Sequence, residues 1–353
     1  MGSGQRILLV PFGIVLLAVC GLMPEIWAKA AAPLTAENPW RAVHVINYTS
    51  DESLEKLTKQ LPALATLGVN ALILEVNYSF DFQSHRELRA SERVITKSGA
   101  RRFVEVCRSL GIAVVPQFQC LGHQSWAKKT GPLLTKYPEL DLTPGAYPGN
   151  EGIYCREWDP INPRTNEIVF ALVDELADAF DARAIHVGMD EVFLLKNEHA
   201  KSTKYLDSAD VFAKVVNDLH GHVVGKRGLV MLMWADRLID GDRWDMGEWE
   251  ASKVGTAPAV DKIPKDIILC SWHYEPRKAY ESLPMFMAKG FRVLPASWKN
   301  VEASNALIRY GQEHQQQGRL VGHIFTTWSV RTDDLASWEP LVEGMPLLRQ
   351  QKP

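Results

Sequence analysis

Eight short apolar runs constrain the fold of this chain more than any other feature of its sequence. They recur between residues 40 and 350 and alternate with segments whose apolar residues have helical spacing. Continuous apolar runs are typical of parallel strands that are buried on both faces. The predicted strands cover residues 42–48, 69–77, 112–118, 184–188, 229–234, 267–272, 291–296 and 320–328.

The intervening segments provide room for a helix after each strand. The helical patterns cover residues 53–67, 99–110, 165–180, 209–225, 277–289 and 301–315. Alternating strands and helices form either a closed (β/α)8 TIM barrel or a doubly wound open sheet. Eight βα units over residues 40–350 favour the α/β TIM barrel, as a single domain of the usual size for that fold.

Composition and motifs exclude several classes of partner. The chain has 39 basic and 42 acidic residues, so its net charge of −3 gives no electrostatic reason to expect nucleic acid or an anionic membrane as the main partner. No Gly-x-Gly-x-x-Gly or Walker-type loop follows a predicted strand, so we expect no nucleotide cofactor. His220 and His222 have a spacing that does not place both imidazoles on one helix face, and we expect no metal site there.

Residues 1–30 have the pattern of a secretory signal peptide. Arg6 precedes an apolar run over residues 7–23, and Ala28-Lys29-Ala30 supplies a small-x-small cleavage pattern. The run is nearly long enough to span a bilayer, so an uncleaved membrane anchor is the alternative. We expect a secreted or periplasmic protein that has no membrane partner unless this segment is retained.

The chain has eleven tryptophans, and four of them end successive predicted strands: Trp234, Trp272, Trp298 and Trp328. The carboxyl ends of barrel strands meet at one face, where active sites lie. Converging indoles at that face suit the apolar C–H surface of a sugar ring. The alternative is that each tryptophan only caps the barrel layer beneath it.

Two adjacent carboxylates follow the fourth predicted strand, at Asp190 and Glu191. Crowded carboxylates disfavour double ionisation, so one can stay protonated as a general acid while the other remains an anion. Cleavage of a glycosidic bond needs this division of roles. Neighbours on one turn cannot easily flank the anomeric carbon, C1, whereas a 2-acetamido sugar supplies its own nucleophile and needs only one acid/base and one orienting carboxylate.

Residues 186–191, His-Val-Gly-Met-Asp-Glu, resemble the His-x-Gly-Gly-Asp-Glu signature of glycoside hydrolase family 20, the β-N-acetylhexosaminidases. The resemblance spans roughly residues 40–330 and implies a (β/α)8 catalytic domain. It implies that Glu191 protonates the leaving oxygen and later activates water. Asp190 would orient the acetamido group as its carbonyl oxygen attacks C1, giving a cyclic oxazolinium without a covalent bond to the protein and without a metal or cofactor.

The resemblance also implies which residues hold the sugar. Arg41, which opens the first predicted strand, is similar to the family's arginine for the 3- and 4-hydroxyls. Gly122-His123 resembles the family's Gly-His segment, whose histidine lies in the pocket. The stretch 74–77 and its following loop lack the family's usual His-rich, Asp-containing sequence.

Aromatic residues at later strand ends complete the resemblance. Trp234 and the nearby Asp236 are similar to the family's strand-five tryptophan and its acid. Trp272 and Trp328 are similar to the later tryptophans that enclose the acetamido group and the ring.

Other positions depart from the family pattern. Met189 replaces the second glycine of the signature, and Val330 stands where the family commonly has a glutamate for the outer hydroxyls. Trp298 lies near the expected position of a tyrosine that contacts the acetamido oxygen, and Tyr274 is a candidate for that tyrosine.

Three functions remain open from the sequence. The leading hypothesis is an exported glycoside hydrolase that removes terminal β-linked N-acetylhexosamine from a glycan or oligosaccharide. The second is a glycan-binding barrel that has lost turnover, suggested by Val330 and the altered strand-two loop. The third is a (β/α)8 hydrolase of another sugar class that pairs Asp190 or Glu191 with an acid from another strand, such as Glu75 or Asp236.

Overall fold

The structure is a computed structural model that describes residues 1–2, 39–328 and 334–349. Apart from its first two residues, the predicted signal peptide lies outside the described residues, and so does Val330. Within the described ranges, no helix combines the length and the apolar character needed to cross a membrane.

The described chain alternates strands with helices in the order that the sequence predicts. The strands are β1 (Trp40–Val45), β2 (Ala71–Glu75), β3 (Ala113–Cys120), β4 (Ser125–Trp126), β5 (Lys129–Thr130), β6 (Ala184–Gly188), β7 (Val230–Trp234), β8 (Ile268–Cys270), β9 (Arg292–Val293), β10 (Ala296–Ser297) and β11 (Gly322–Thr326). The α-helices are α1 (Asp51–Thr58), α2 (Leu61–Leu67), α3 (Lys97–Ser109), α4 (Pro132–Lys136), α5 (Pro163–Ala179), α6 (Ser208–His220), α7 (Ser282–Ala288), α8 (Val301–Glu313) and α9 (Glu339–Arg349).

The main sheet closes into a barrel with eight parallel strand positions. Its strand order is β10-β11-β1-β2-β3-β6-β7-β8-β9, and β4 and β5 form a separate antiparallel hairpin. The short strands β9 and β10 together occupy the seventh strand position. The Leu294 N–H donates to the Leu269 carbonyl at 2.9 Å on one side, and the Pro295 carbonyl accepts from the Ile324 N–H at 2.8 Å on the other. The predicted (β/α)8 TIM barrel is therefore confirmed.

Apolar side chains fill both sides of the barrel wall, which explains why its strands are continuously apolar. In β2, Ala71 and Ile73 belong to the cluster inside the barrel, whereas Leu72 and Leu74 pack in the larger cluster beneath the helices. The alternation follows from the two-residue period of a strand. The charged residues of the barrel strands, Arg41, Glu75 and Arg292, lie at or next to a strand end.

Two helical segments differ from the sequence expectation. The single helix predicted over 53–67 is divided into α1 and α2, and Pro62 lies in the first turn of α2, where its missing N–H is tolerated. Between β7 and β8 only short 3-10 turns occur in place of an α-helix, at Asp236–Leu238 and Ala257–Asp261. Pro258, Pro264 and Gly255 interrupt helical backbone in that connection.

At Gly322 the backbone of β11 leaves no room for a side chain beside β1. Its φ is +138°, and a Cβ at this position would lie 2.1 Å from the carbonyl oxygen of Trp40. The neighbouring atom belongs to the backbone of a paired strand, so it cannot move aside without breaking the register between Trp40 and Gly322.

We expect Gly322→Ala to lower the free energy of unfolding by about 3 kcal/mol or more, because backbone strain and overlap with β1 add together. Gly111→Ala is the matched control, since Gly111 also has a positive φ of +72° but a Cβ at that position would meet no atom within 4 Å. It should cost only about 1 kcal/mol. Urea unfolding of both variants measures the difference, and equal losses would contradict this explanation.

Candidate active site

The two adjacent carboxylates lie on a strained turn directly after β6. Gly188, Met189 and Glu191 all have positive φ values, of +67°, +77° and +52°. Such values are uncommon for residues other than glycine and cluster at functional sites. At the end of β3, Leu121 and His123 also have positive φ values. Two neighbouring strand ends therefore hold strained backbone where the predicted catalytic residues lie.

Asp190 is held from two sides by residues that follow or end β3. Its Oδ1 accepts a short hydrogen bond from Gln119 Nε2, and its Oδ2 lies 3.3 Å from His123 Nε2. A Cβ on Gly188 would lie 2.0 Å from Gln119 Oε1. Glycine at position 188 therefore permits both the turn and the approach of Gln119 to Asp190.

Glu191 lies on the other side of the same imidazole. Its Oε2 is 3.1 Å from His123 Nε2, and its backbone N–H donates to Asp236 Oδ2 at 3.0 Å. Burial and, after it, the charge of the nearby Glu191 carboxylate raise the pKa of Tyr154. Both carboxylates thus converge on one imidazole nitrogen, at ion-pair distances that lack the alignment of a hydrogen bond.

His123 supplies the positive charge that lets Asp190 remain ionised. Burial alone would lower the pKa of His123, but the charge of Asp190 and the contacts with both carboxylates hold it well above the usual 6.5. Burial likewise opposes ionisation of Asp190, yet the charge of His123 holds the pKa of this carboxyl below 3.8. The pair is therefore charged at neutral pH.

The sign of each shift defines the pH window of this ion pair. The raised pKa of His123 stabilises the fold below pH 6.5, and that contribution is lost as the pH rises through the folded-state pKa. The lowered pKa of Asp190 stabilises the fold above pH 3.8, and that contribution is lost as the pH falls through the folded-state value.

Two further carboxyl groups lie near this pair. Burial raises the pKa of Glu75, at the end of β2, to about 7, and Gln117 Nε2 donates to its Oε2 at 3.2 Å. Burial also raises the pKa of Asp236 to about 6, against the opposing charge of Arg237. Glu75 can therefore hold a proton close to neutral pH, whereas Asp236 faces the Arg237 guanidinium at 2.7 Å.

Asp236 positions other groups of the site rather than facing open space. It is only 1% exposed. Its Oδ2 accepts from the Glu191 N–H and from Arg237 Nε at 2.7 Å, and its Oδ1 accepts from Trp272 Nε1 at 3.3 Å. The structure thus brings Asp236 to the site, but as a positioning residue for the catalytic turn and for Trp272 instead of the predicted sugar ligand.

The five predicted aromatic residues form one connected wall at the barrel mouth. The Trp272 and Tyr274 rings stack with centroids 4.9 Å apart, and the Tyr274 and Trp298 centroids are 5.6 Å apart. Trp328 Nε1 donates to the Tyr274 hydroxyl at 2.6 Å, and its ring contacts Trp234 with centroids 6.0 Å apart. Trp234 is fully buried and forms the base of this wall.

Arg41 lies at the wrong end of the barrel for the predicted role. It is the second residue of β1, so about four residues, or about 13 Å of strand, separate it from the carboxyl end where the carboxylates lie. Arg41 Nε donates to the Gly68 carbonyl at 2.6 Å, and Nη1 donates to the Pro39 carbonyl at 3.3 Å. The predicted contact with sugar hydroxyls was wrong. The residue type matched the family's arginine, but β1 begins at Trp40, so Arg41 lies at the amino end of the strand, away from the site.

Sequence reasoning missed several residues of the site. Gln117 and Gln119 alternate with apolar residues in β3, and this pattern of two polar side chains on one strand face was the available signal. Gln117 Oε1 contacts His44 Nε2 at 3.1 Å, which extends the network to β1. Tyr154 lies in the long connection after β3, where no periodic pattern marks its position.

The same cluster is also a candidate metal group. Single ligand atoms of His123, Asp190 and Glu191 lie within 4.8 Å of one another, which no other trio of such residues achieves within the described ranges. A ligating imidazole must be deprotonated at the ligand atom. The ion pair favours the protonated imidazole, which cannot bind a metal cation through the same nitrogen. The close approach of the three side chains is therefore explained by attraction between the imidazolium and the two carboxylates.

Comparison with known proteins places this fold and site in one family. The chain matches the model of the glycosyl hydrolase family 20 catalytic domain over residues 44–341, and it therefore belongs to that family. A β-hexosaminidase from Emericella nidulans is 24% identical over 287 residues, which cover 73% of this chain and 43% of that protein. The chain thus spans less than half the length of this relative.

Solved structures show the same fold. The Flavobacterium johnsoniae chitobiase has a TM-score of 0.64 at 19% identity, covering 88% of this chain and 48% of that one. The exo-β-N-acetylglucosaminidase from Vibrio harveyi, solved in complex with N-acetylglucosamine, has a TM-score of 0.64 at 15% identity, covering 89% and 55%. At these identities the likeness concerns the barrel fold.

We expect Asp190→Asn to lower the pKa of His123, because the variant removes the principal charge that favours the imidazolium while the imidazole stays buried. NMR titration of the His123 ring measures this shift. Asp174→Asn is the matched control, since Asp174 pairs with a different imidazole, that of His222, at 2.8 Å. It should leave the pKa of His123 unchanged, and an unchanged pKa in Asp190→Asn would refute the ion-pair assignment.

Proposed function

We propose that this protein is a glycoside hydrolase that removes terminal β-linked N-acetylhexosamine from a glycan or oligosaccharide by substrate-assisted, retaining catalysis. The observation that carries this proposal is the convergence of Asp190 and Glu191 on His123, with one oxygen of each carboxylate within 4.8 Å of the other. Inverting hydrolases separate their carboxyl groups by roughly 6.5–9.5 Å to admit a water molecule. The observed spacing is too short for that arrangement.

The position of His123 also argues against a protein nucleophile from this pair. In a retaining enzyme that forms a covalent intermediate, the two carboxyl groups flank the scissile bond with the sugar between them. Here the space between the two carboxylates is occupied by the His123 imidazole. Both carboxylates therefore act from one side of the substrate, and the nucleophile comes from the substrate itself.

The proposed reaction has two steps. In the first, the acetamido carbonyl oxygen attacks C1 while Glu191 donates its proton to the leaving glycosidic oxygen, so that the C1–O bond breaks and an oxazolinium forms. Asp190, held as an anion by His123, accepts a hydrogen bond from the acetamido N–H and stabilises the positive charge. In the second step, Glu191 removes a proton from a water molecule while the water oxygen attacks C1. The C1–O bond of the oxazolinium breaks, which restores the acetamido group and gives net retention at C1.

The aromatic wall supports the same substrate class. Trp272 is 8% exposed and is fixed by its hydrogen bond to Asp236. Its location beside the turn that carries Asp190 suits contact with the methyl group and the apolar ring face of a 2-acetamido sugar. The N-acetylglucosamine bound to the Vibrio harveyi relative is consistent with this choice of sugar. Export to the periplasm or medium, predicted from residues 1–30, stays a proposal from the sequence.

We expect the purified full chain to hydrolyse an aryl 2-acetamido-2-deoxy-β-D-glucopyranoside but not the matching 2-hydroxy glucoside. Glu191→Gln should lower kcat/KM by about 10²- to 10⁴-fold, because it removes the general acid. Asp190→Asn should also lower it strongly, through loss of the orienting charge. Release of the coloured aryl alcohol measures each rate.

Glu198→Gln serves as the matched control, because Glu198 is a carboxylate whose side chain is 83% exposed and lies outside the site. It should retain the parent rate. Hydrolysis of both sugars would contradict substrate assistance and indicate a second carboxylate from another strand. Failure of the folded parent protein to cleave either sugar would favour a glycan-binding barrel instead.

A further inference from the structure

A second group of aromatic side chains lies at the barrel mouth, outside the wall formed by the strand-end tryptophans. Tyr154 is its centre, with ring centroids 4.8 Å from Trp249 and 5.9 Å from Trp126. These three side chains, here called the aromatic platform, are 37%, 45% and 66% exposed in that order. Exposed aromatic residues that adjoin one another mark binding sites more often than isolated ones do.

The loop that carries Trp249 is fixed by a buried arginine. Arg237 Nη2 donates to the carbonyl oxygens of Glu248, Trp249 and Ala251 at 2.5, 2.7 and 2.9 Å. Arg237 is fully buried and is paired with Asp236 through Nε. The exposed indole of Trp249 therefore stands on a backbone that is tied to the catalytic turn.

A second buried arginine fixes the rest of the platform. Arg156, two residues after Tyr154, donates through Nε to Asn150 Oδ1 at 2.6 Å and pairs with Asp141. Asn150 Nδ2 in turn donates to the Ala127 carbonyl at 2.9 Å, in the β4–β5 hairpin that begins with Ser125 and carries Trp126. The platform is thus held in place before any ligand binds, which lowers the entropy cost of binding.

The platform lies on the Glu191 side of the catalytic pair. The Tyr154 ring lies 5.8 Å from the His123 ring, and the next residue, Cys155, donates from its Sγ to the Glu191 carbonyl at 3.7 Å. Under the proposed function, on which this inference rests, Glu191 protonates the leaving oxygen. The platform therefore faces the leaving group rather than the N-acetylhexosamine.

A cleft of about 560 Å³ adjoins the platform at Trp126 and reaches His123 and Gln119. Besides His123, its charged lining consists of Arg89, Lys129 and Lys136 together with one carboxylate, that of Glu87. Glu87 is already engaged, because it accepts a hydrogen bond from the Tyr137 hydroxyl at 2.5 Å and contacts His85 at 3.0 Å.

The cationic groups of this cleft are only partly neutralised. Arg89 pairs with Asp81 at 2.8 Å. In the part of the chain that the structure describes, Lys129 and Lys136 each lack a carboxylate at ion-pair distance, although other exposed lysines such as Lys253 and Lys262 have one. The two ammonium groups therefore leave positive charge in a cleft that opens beside the leaving-group platform.

We propose that the leaving group is a saccharide unit that carries an anionic substituent, with its ring on the aromatic platform and its negative charge beside Lys129 and Lys136. Trp126 belongs both to the platform and to the cleft lining, so one sugar residue can contact both. Aromatic faces bind the apolar face of the ring, and ammonium groups bind a carboxylate or a sulfate.

Three matched disaccharides test this proposal. Each has N-acetylglucosamine in the same β-linkage, to glucose, to glucuronic acid or to glucose 6-sulfate. Binding is measured by calorimetry on the full chain with Glu191→Gln, which prevents turnover. We expect at least one of the two acidic disaccharides to bind about tenfold more tightly than the neutral one. Because exposed ion pairs are screened, this preference should shrink at about 1 M salt.

Variants in the same background locate the preference. Lys129→Gln combined with Lys136→Gln should remove most of the tenfold preference, and Trp126→Ala should weaken binding of all three disaccharides. Lys128→Gln is the matched control, because Lys128 is the neighbour of Lys129 in the hairpin but does not line the cleft. It should leave all affinities unchanged.

Two outcomes would overturn the inference: equal affinity for the neutral and both acidic disaccharides, or a preference that survives in the double lysine variant. Which acidic disaccharide is preferred distinguishes a carboxylate from a sulfate. Failure of the proposed function is measured separately, as the absence of hydrolysis when the parent protein is given the aryl N-acetylglucosaminide. Binding to Glu191→Gln is measured whether or not that substrate is cleaved.

Discussion

The contact between His123 and Asp190 is the interaction on which the rest of the site depends. Taking an aspartate that is 7% exposed out of water is unfavourable unless a positive charge and hydrogen bonds compensate it. His123 provides the charge at 3.3 Å, and Gln119 provides the hydrogen bond. With Asp190 fixed as an anion that orients the substrate, the proposed proton-transfer role falls to its neighbour Glu191, which contacts the same imidazole at 3.1 Å.

The barrel makes this arrangement possible by bringing the ends of β3 and β6 together. The two strands are paired, and Gln117 lies opposite His186 while Cys120 lies opposite Gly188. The register shifts between those two pairs, which places the residues after β3 beside the turn after β6. Gly188 leaves room for Gln119, and positive φ values at Met189 and Glu191 direct the chain back toward His123. Strain in the turn is thus tolerated because the surrounding strands hold it.

The sequence was sufficient for the barrel because buried parallel strands must be apolar on both faces, and eight such runs are visible without any structure. It was sufficient to place Asp190 and Glu191 at the carboxyl end of the barrel, because they follow the predicted strand 184–188. The sequence was insufficient to predict the position of Arg41 relative to the site, since a match of residue type carries no information about which end of the strand the residue occupies. It was also insufficient for Tyr154 and Trp249, because the paths of their loops depend on buried hydrogen bonds from Arg156 and Arg237. Such long-range contacts leave no periodic pattern in the chain.

In the proposed function, the substrate's acetamido oxygen attacks C1, and no side chain of the protein does so. The most direct measurement is kcat/KM for a series of aryl β-glycosides whose N-acetyl methyl group carries none, one, two or three fluorines. Fluorine withdraws electron density from the carbonyl oxygen and leaves the leaving group unchanged. Substrate-assisted catalysis predicts a steep fall in kcat/KM along the series. Rates that do not depend on fluorination would contradict substrate-assisted catalysis and would require a nucleophile supplied by the protein.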